Sequence, residues 1–513
     1  MLNKDTRKWL PLGLILIVGV ILYFYKLGSE SLWEDELYSI YDAGHLEFPA
    51  VFLSSTRPIY FTLLHFWMFL GDSEVFLRGF SIPFGLGSII ITYLIGDRLF
   101  NRSTGFIAAL LLTLSPLFIN HVQEVRFYSL SVFLNLLGTL LLIHALQKPR
   151  RKFIYSWALL RALAILTTPL NFLLLLPDVV IIGFSFRHQR SKLILFIQGL
   201  IIIGILWTPA ALRLLTNDAS AYLNDWVYTQ TRPGFREILI LIKRLVFDPP
   251  YNSKLSRPMI HVYRICTYLL LFLSLFSLWQ KKHSENIFRM SMWAFLPSTS
   301  VFILAFVRES SGLWFARYLL LICPYFLILI SVGFLRVWRF KSVVAIVVSL
   351  FYLVGVCGGL YYYYGTANHT DWRGAIQLIQ GDEQQGDAVI FYAIGAEFAL
   401  ARLIPAMSYY YGGSLPFYFL SHEDSSKRPL MDKSQALTSS QASDKIKEIS
   451  KDVFEADQEN DVSEDLRLWI MCFKYCRNPK TVLGLEEAFS TNGFQLKQKG
   501  VYSDNMHVFL FGP

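Results

Sequence analysis

Three carboxylates stand in a row in the segment SLWEDELYSIYDAG, residues 31–44, as Glu34, Asp35 and Glu36. They come a few residues after the apolar run Leu10 to Tyr25. Charge beside a segment that enters a bilayer is costly and usually functional, and a carboxylate can act as the general base of a transfer reaction. The segment therefore predicts acid–base chemistry at the end of the first apolar run, with solvated loop charges as the competing interpretation.

A second polar cluster lies in HVQEVRFYSL, residues 121–130, where Glu124 and Arg126 stand between two further apolar runs. An arginine can hold a phosphate through a bidentate contact. A carboxylate that faces a cation suits a group-transfer site, although solvated charge is again the alternative for each cluster alone. Aromatic residues flank both clusters: Trp33, Tyr38, Phe127 and Tyr128.

The composition is that of a membrane protein. Of the 513 residues, 54% are hydrophobic and only 17% are charged, whereas a soluble chain carries about a quarter charged residues. The net charge of +9 is not a nucleic-acid signal, because the Lys and Arg residues sit in short clusters between apolar runs. The sequence has neither a P-loop nor a Rossmann glycine fingerprint, so it contains no familiar nucleotide-binding motif.

Eleven apolar runs are long enough, with their flanking aromatics, to be predicted as membrane spans. They are residues 10–25, 77–97, 104–119, 128–146, 154–168, 170–186, 193–212, 260–279, 289–307, 318–335 and 342–363. With the N-terminus in the cytoplasm and the first span uncleaved, every cytoplasmic connection is basic, as the positive-inside rule requires. We therefore expect a multi-pass cell-membrane protein whose two polar clusters and whose residues after 364 are extracytoplasmic.

Two apolar segments are left over from this count. PIYFTLLHFWMFL, residues 58–70, is too short to span, and we expect it to lie in the outer interface or to pack as a half-helix. GFREILILIKRLVF, residues 234–247, has helical periodicity with Lys243 and Arg244 on its polar side. It predicts a second interfacial helix, which could act as a lid, and an ordinary surface helix is the equal alternative.

The composition changes after residue 364, which predicts two domains, 1–363 in the membrane and 364–513 as a soluble α/β domain. DWRGAIQLIQGDEQQGDAVIFYA reads as helix, turn and strand, DLRLWIMCF and NMHVFLF as strands, and GLEEAFSTNGF as a helix with a glycine stop. The polar stretch 421–465 predicts a flexible loop. Cys472 and Cys476 could form a disulfide or stay as two thiols, and both readings stand. Cys266, Cys323 and Cys357 lie in apolar runs and are expected to be inert core residues.

Several motifs in order give the sequence a family resemblance. WEDELYSIYDAG resembles the first-loop motif of the GT-C type glycosyltransferases that use polyprenyl-phosphate sugars, which include the protein O-mannosyltransferases and the aminoarabinose transferases of lipid A. The likeness continues through RPIYFTLLHFW and through the stretch from GDSEVFLRG to QEVRFYSL. It is strong over residues 30–130, thin in the middle spans, and returns at FARYLL and DWRGA.

The resemblance implies a role for particular residues. Asp35 matches the family's catalytic base, with Glu36 as its partner and Glu34 facing solvent. Arg57 departs from the family, because it takes the place of the first proline in the family's Pro-Pro-Leu-Tyr motif and would supply the missing cation one position displaced. Arg78 fits the family too, but a structural ion pair, with Glu74 as the partner, is the reading we favour for it. The remaining implied contacts to the substrate are Glu124, Arg126, Tyr128 and Arg317.

The implied reaction moves a sugar from a polyprenyl-phosphate donor to an acceptor hydroxyl at the outer face, by an inverting single displacement. The implied partners are the lipid donor, an acceptor glycan, lipid or protein, and membrane lipids, with no nucleic acid. No cofactor is expected to be essential, although a divalent cation near Asp35 is conceivable. The alternative is a polytopic transporter or lipid flippase, for which Arg161 and Asp178 are the main ionisable residues inside spans. A scaffold that displays the tail domain is a third reading.

Overall fold

The computed structural model describes residues 4–216, 233–249, 255–279, 283–308, 314–366, 369–392, 396–420, 439–458, 466–473, 475–503 and 506–513. The chain divides into two compact units. The first consists of Met1–Leu27 with Leu46–Thr366, and the second consists of Gly28–His45 with Ala367–Pro513. The acidic segment thus groups with the C-terminal residues, whereas the sequence placed it in the membrane domain.

The α-helices of the described residues run in chain order as follows: α1 Lys4–Phe24, α2 Glu34–Gly44, α3 Val51–Ser54, α4 Pro58–Met68, α5 Glu74–Gly79, α6 Ile82–Leu99, α7 Arg102–Thr113, α8 Pro116–Val122, α9 Tyr128–Gln147, α10 Arg151–Thr167, α11 Leu175–Phe186, α12 Arg190–Thr216, α13 Phe235–Phe247, α14 Arg257–Leu278, α15 Ser284–Val307, α16 Cys323–Phe340, α17 Ser342–Gly365, α18 Trp372–Asp382, α19 Ala396–Tyr410, α20 Ser439–Gln458 and α21 Pro479–Thr491. The strands are β1 Ala388–Tyr392, β2 Phe417–Leu420, β3 Leu468–Phe473, β4 Gln495–Ser503 and β5 Met506–Gly512. Short 3-10 turns lie at Pro169–Leu174, Leu320–Ile322 and Tyr475–Arg477.

The first unit is an apolar helical bundle, and the prediction of a multi-pass membrane protein is confirmed. Within the described residues, eight helices are long and apolar enough to cross a membrane, and the bent pair α7–α8 makes a ninth if it is one span. The predicted count of eleven is not confirmed. The apolar part of α1 is the shorter helix Trp9–Phe24, and α10 is 17 residues long and carries three cationic side chains.

Close approach of α6 and α7 depends on two glycines that face one another. A Cβ on Gly96 would lie 2.8 Å from the Cα of Gly105, which no packed structure tolerates. The next helix, α8, starts with Ser115, whose side chain accepts the Phe118 amide, and with Pro116 at the first helical position. The resulting bend of 65° between α7 and α8 sets the direction of the second polar loop.

A buried ion pair ties α9, α10, α11 and α15 together. The Arg161 Nε donates to Asp178 Oδ2 at 2.7 Å, and both side chains are fully buried. Asp178 also accepts from the indole N–H groups of Trp157 and Trp293, each at 2.8 Å. Arg161 donates in addition to Thr139 Oγ1 at 2.8 Å. Since charges inside a membrane protein are tolerated when they are paired and hydrogen-bonded, this network is a structural tie between helices.

The two left-over segments form helices of the first unit. Residues 58–70 contain the 11-residue α4, whose side chains Tyr60, Phe61 and Leu64 are buried. Residues 234–247 contain α13, whose residues 241, 242 and 245–247 are buried. Lys243 is partly buried as well, and burial together with three nearby arginines lowers its pKa. The positions of α4 and α13 in a membrane interface stay predictions. Cys266 and Cys323 are buried, but Cys357 is exposed on α17.

The second unit is built on a five-stranded mixed sheet in the order β2-β1-β3-β5-β4. Strand β1 runs parallel to β2 and β3, while β5 is antiparallel to β3 and β4. The predicted α18, β1, β3, β5 and α21 are confirmed, and α21 is followed by Gly493 at φ +86. Cys472, at the end of β3, forms a disulfide with Cys476.

The prediction of a flexible loop over 421–465 is wrong for its middle part. Residues Ser439–Gln458 form the 20-residue helix α20, which packs against α21. The buried positions Ala442, Ile446, Ile449 and Val453 recur at helical spacing and enter the core under the sheet. Residues 421–438 and 459–465 lie outside the described part of the chain, as do residues 280–282 and 309–313 of two predicted connections.

Candidate active site

The acidic triplet forms the first turn of α2, in the second unit. Carboxylates are favoured there by the exposed amide groups and dipole of a helix N-terminus. Glu36 is fully buried, and its Oε2 accepts the Trp33 amide at 3.3 Å, so it caps the helix. Glu34 does not simply face solvent, as the sequence predicted, because its Oε1 accepts the Thr370 hydroxyl at 2.9 Å.

Asp35 lies between these two structural carboxylates and is partly exposed. Its main-chain carbonyl accepts the Ser39 hydroxyl at 2.8 Å, one helical turn later. Since a general base must reach a substrate proton, the fully buried Glu36 is a poor candidate. Of the pair Asp35 and Glu36, Asp35 is therefore the one whose position suits proton transfer.

The segment before α2 is held by residues that follow it by more than 330 positions. Ser31 Oγ donates to the Thr370 carbonyl at 2.9 Å and accepts the Trp372 amide at 3.2 Å. The Leu32 amide donates to the Tyr410 hydroxyl at 2.8 Å, and the Trp33 ring stacks on His369 with centroids 5.2 Å apart. These contacts are the physical reason why residues 28–45 group with the C-terminal residues. They also give a structural role to the DWRGA motif, residues 371–375.

In the first unit, the loop between α8 and α9 is held by the Gln123 side chain and by one main-chain carbonyl. The Gln123 side chain donates to the carbonyls of Tyr23 and Tyr25, both at 2.9 Å, and accepts the Tyr363 hydroxyl at 2.7 Å. Ser81 Oγ donates to the Glu124 carbonyl at 2.6 Å. The side chains of Glu124 and Arg126 are therefore presented from a rigid backbone.

Two predicted cations meet at one aromatic ring. The guanidinium carbon of Arg57 lies 4.3 Å from the centroid of Phe127, and that of Arg126 lies 5.2 Å from it. Arg126 is only 7% exposed, and the ring offers each cation a favourable π-face. Arg57 thus contacts the same ring as Arg126 despite its displaced position in the motif. Two guanidinium groups around one ring form an environment that favours an anion.

Arg317 and Tyr128 are also brought together. Both line a small cavity whose other walls include Phe127, Ser131 and Thr168. Arg317 Nη2 donates to the hydroxyl of Tyr318 at 3.2 Å. Within the first unit, the structure therefore assembles the second loop with an arginine that lies almost 190 residues away in sequence. Arg78 is buried, and its Nη1 donates to the Leu27 carbonyl at 2.9 Å.

His121 and Asp248 were not predicted from the sequence. His121 Nδ1 lies 2.9 Å from Glu124 Oε2, and both side chains are buried. Asp248 follows α13 directly, lies 3.5 Å from Arg244, and is partly buried. Its pKa is raised, first by this burial and then by nearby Glu124, with Arg244 and His121 opposing the shift. The spacing of His121 and Glu124, three positions apart, could have revealed the first pair. Asp248 carried no comparable signal.

No group of three or more His, Cys, Asp or Glu side chains that could hold a metal ion occurs among the described residues. The two carboxylates next to Asp35 in sequence accept hydrogen bonds: Glu36 from the Trp33 amide and Glu34 from the Thr370 hydroxyl. The dispensability of a divalent cation stays a prediction.

Comparison with known proteins identifies the fold and one family segment. Residues 56–212 match the family described as dolichyl-phosphate-mannose-protein mannosyltransferase. Among curated protein sequences, none matches this chain significantly.

Among the solved structures that share the fold are three that match nearly the whole of this chain. The apo ArnT of Cupriavidus metallidurans matches with a TM-score of 0.62 at 13% identity, over 99% of this chain and 98% of that one. ArnT of the same organism bound to undecaprenyl phosphate gives a TM-score of 0.54 at 12% identity, over 97% of both chains. The Archaeoglobus fulgidus oligosaccharyltransferase tethered to an acceptor peptide gives 0.53 at 10% identity, over 99% of this chain and 74% of that one.

These matches confirm the fold class, a helical polytopic bundle with a C-terminal α/β domain. The family segment includes the second loop, residues 123–127. The resemblance of this chain to the GT-C type glycosyltransferases is confirmed, by the family segment in residues 56–212 and by the fold over nearly its full length.

Proposed function

We propose that this protein is an integral membrane glycosyltransferase that moves a sugar from a polyprenyl-phosphate donor to an acceptor hydroxyl. The observation that supports it most is the convergence of Arg57 and Arg126 on Phe127, in the segment that matches the mannosyltransferase family. An anionic lipid phosphate fits two guanidinium groups better than any neutral ligand would. A similar fold holds undecaprenyl phosphate in ArnT.

In the proposed reaction, the acceptor oxygen attacks the anomeric carbon while the bond from that carbon to the phosphate oxygen breaks. Asp35 takes the acceptor proton, and the donor leaves as a polyprenyl phosphate with one more negative charge. Arg57, Arg126 and Arg317 stabilise that added charge electrostatically. A single displacement inverts the anomeric carbon. Glu36 holds the first turn of α2, and Glu124 and Tyr128 shape the contact region; no cofactor takes part in the proposed steps.

We further propose that the second unit is extracytoplasmic and the N-terminus cytoplasmic. The basic connections between spans support this orientation, as does the Cys472–Cys476 disulfide, since disulfides persist outside the cytoplasm. A C-terminal reporter enzyme that is active only in the cytoplasm should stay inactive. Activity of that reporter would reverse the orientation.

The transporter reading gains no support from Arg161 and Asp178. Each bonds to the other and to further buried groups, so neither is available to a substrate path among the described residues. A transporter would use ionisable groups that change partners during transport.

The experiment that tests the proposal measures binding of a short polyprenyl phosphate to the purified protein in nanodiscs. Arg126→Ala removes a buried cation, and we expect the affinity to fall by about 30-fold, roughly 2 kcal/mol, at the low end for such groups. The exposed Arg187 offers a control for the cation–ring distance, because its guanidinium carbon also lies 5.2 Å from the centroid of a phenylalanine ring, that of Phe184. Arg187→Ala should bind like wild type. Equal binding by Arg126→Ala and wild type would remove the phosphate role.

A further inference from the structure

His121 presents one ring nitrogen that the described structure leaves unused. Its Nδ1 lies 2.9 Å from Glu124 Oε2, and its ring lies 4.5 Å, centroid to centroid, from Tyr128. Because an ionised carboxylate only accepts hydrogen bonds, Nδ1 carries a proton toward Glu124. This contact fixes the ring orientation and turns Nε2 away from Glu124, in the way a carboxylate orients a functional histidine.

Nε2 is buried and has no hydrogen-bond partner among the described residues. His121 is 5% exposed, so water does not satisfy this nitrogen from the surface. Ser129 Oγ, one residue after Tyr128 and in the first turn of α9, is likewise buried without a partner among the described residues. Buried polar atoms are nearly always paired, and those left over need an explanation.

The surroundings indicate the chemistry of the missing partner. The α9 helix is 20 residues long, and its N-cap Phe127 offers no side-chain hydrogen bond to the first-turn amides. An uncapped helix start favours an anion, and Arg57 and Arg126 lie at the Phe127 ring. A phosphate oxygen suits a histidine nitrogen, because the two groups can share one proton in a hydrogen bond.

We infer that His121 Nε2 contacts the phosphate group of the polyprenyl-phosphate lipid, and that Glu124 acts as a positioning residue through the histidine rather than as a direct sugar contact. This inference rests on the proposed function, because it names the group that the lipid phosphate meets. It adds a fourth phosphate contact to Arg57, Arg126 and Arg317. It assigns to Ser129 a supporting hydrogen bond at the start of α9.

Two variants of His121 distinguish the role of Nδ1 from that of Nε2. In His121→Asn, the side-chain amide can replace Nδ1 toward Glu124, but nothing replaces Nε2. In His121→Gln, the longer side chain places its amide near the Nε2 position and loses the Glu124 contact. The probes are geranylgeranyl phosphate, the uncharged geranylgeraniol and inorganic phosphate, each titrated into full-length protein in nanodiscs. Melting temperatures of the variants report on folding.

We expect wild type to prefer geranylgeranyl phosphate over the alcohol, and His121→Asn to lose about tenfold of that preference, as for one hydrogen bond to a charged group. His121→Gln should lose less than His121→Asn. Equal losses, the reverse order, or wild-type binding by His121→Asn would overturn the inference. Binding of inorganic phosphate as tight as that of the lipid phosphate would also overturn it, since the site would then take free phosphate.

The proposed function can fail separately, since a wild type that binds phosphate and alcohol equally would contradict the lipid-phosphate donor itself. Should His121→Asn not fold, histidine-selective 15N NMR of the wild type keeps the question open to measurement. Addition of geranylgeranyl phosphate, but not of geranylgeraniol, must then shift a buried imidazole signal, and no shift would overturn the inference.

Discussion

The hydroxyl of Tyr410 is the most informative single atom to remove, because it tests whether the C-terminal residues place the acidic helix. It accepts the amide of Leu32, which is fully buried and lies two residues before the first turn of α2. Tyr410→Phe keeps the ring and leaves this buried N–H without that acceptor. Leaving one buried donor unsatisfied costs about 1–3 kcal/mol.

We expect this free-energy cost to affect the placement of Asp35, because the lost hydrogen bond lies just before α2. A loss of about 1.4 kcal/mol lowers the ratio of the attached to the detached arrangement of the segment before α2 tenfold. We expect kcat for sugar transfer to fall by up to about tenfold, whereas binding of polyprenyl phosphate should not change, because Arg57 and Arg126 belong to the first unit.

A neighbouring tyrosine gives the control. Tyr411 donates to Glu383 at 2.8 Å and accepts the Leu415 amide at 3.1 Å, all within the C-terminal residues. Tyr411→Phe should therefore lower the stability of the second unit without changing kcat. Transfer by Tyr410→Phe at the wild-type rate, or equal slowing in both variants, would refute a role of the Tyr410 hydroxyl in placing Asp35.

Two further predictions concern buried charges. Arg161→Met should destabilise the protein by about 3–5 kcal/mol, since it strands Asp178 in the bundle; thermal unfolding in detergent measures this, and the double variant Arg161→Met, Asp178→Leu should be less destabilised than either single variant. Because burial raises the pKa of Asp248, the folded state holds that proton more tightly, so the group's contribution to the free energy of unfolding falls as the pH rises from about 4 through the raised value. Asp248→Asn should flatten this fall in a series of melting curves, and an unchanged slope would contradict the assignment.

Local sequence patterns predicted much of the fold. Apolar runs and loop charges predicted the membrane bundle, because hydrophobic length is a property of consecutive residues. The signals for a helix, a turn and a strand predicted α18 and β1, because they too are properties of consecutive residues. The number of spans was harder, since α10 holds Arg161 in a charge network that only the folded bundle supplies.

The features that the sequence did not predict depend on contacts between distant residues or on weak sequence patterns. The grouping of residues 28–45 with the C-terminal residues rests on pairs such as Ser31 and Thr370, which are 339 positions apart, and no local pattern encodes them. The helix α20 was hidden by its polar composition, although its four buried positions have helical spacing. Strand β4 was missed because Gln495–Ser503 is mostly exposed and gains its order from pairing with β5.

The sequence predicted which residues could form the candidate site, but not which of them contact one another. Family motifs named Asp35, Arg126 and Arg317. The structure then separated Asp35 from its neighbours by giving Glu36 a capping bond and Glu34 a bond to Thr370. It also added His121, whose function as a partner of Glu124 depends on burial that a sequence does not display.

The most direct measurement compares Asp35→Asn with Glu34→Gln in a transfer assay with a polyprenyl-phosphate sugar donor and the purified protein. Asp35→Asn keeps the shape and removes the basicity, so transfer should fall about 100-fold or more, while the donor still binds. Glu34→Gln keeps an oxygen that can accept the Thr370 hydroxyl, and its transfer rate should stay close to that of wild type. Full activity of Asp35→Asn, or loss of transfer in Glu34→Gln alone, would contradict the assignment of Asp35 as the base.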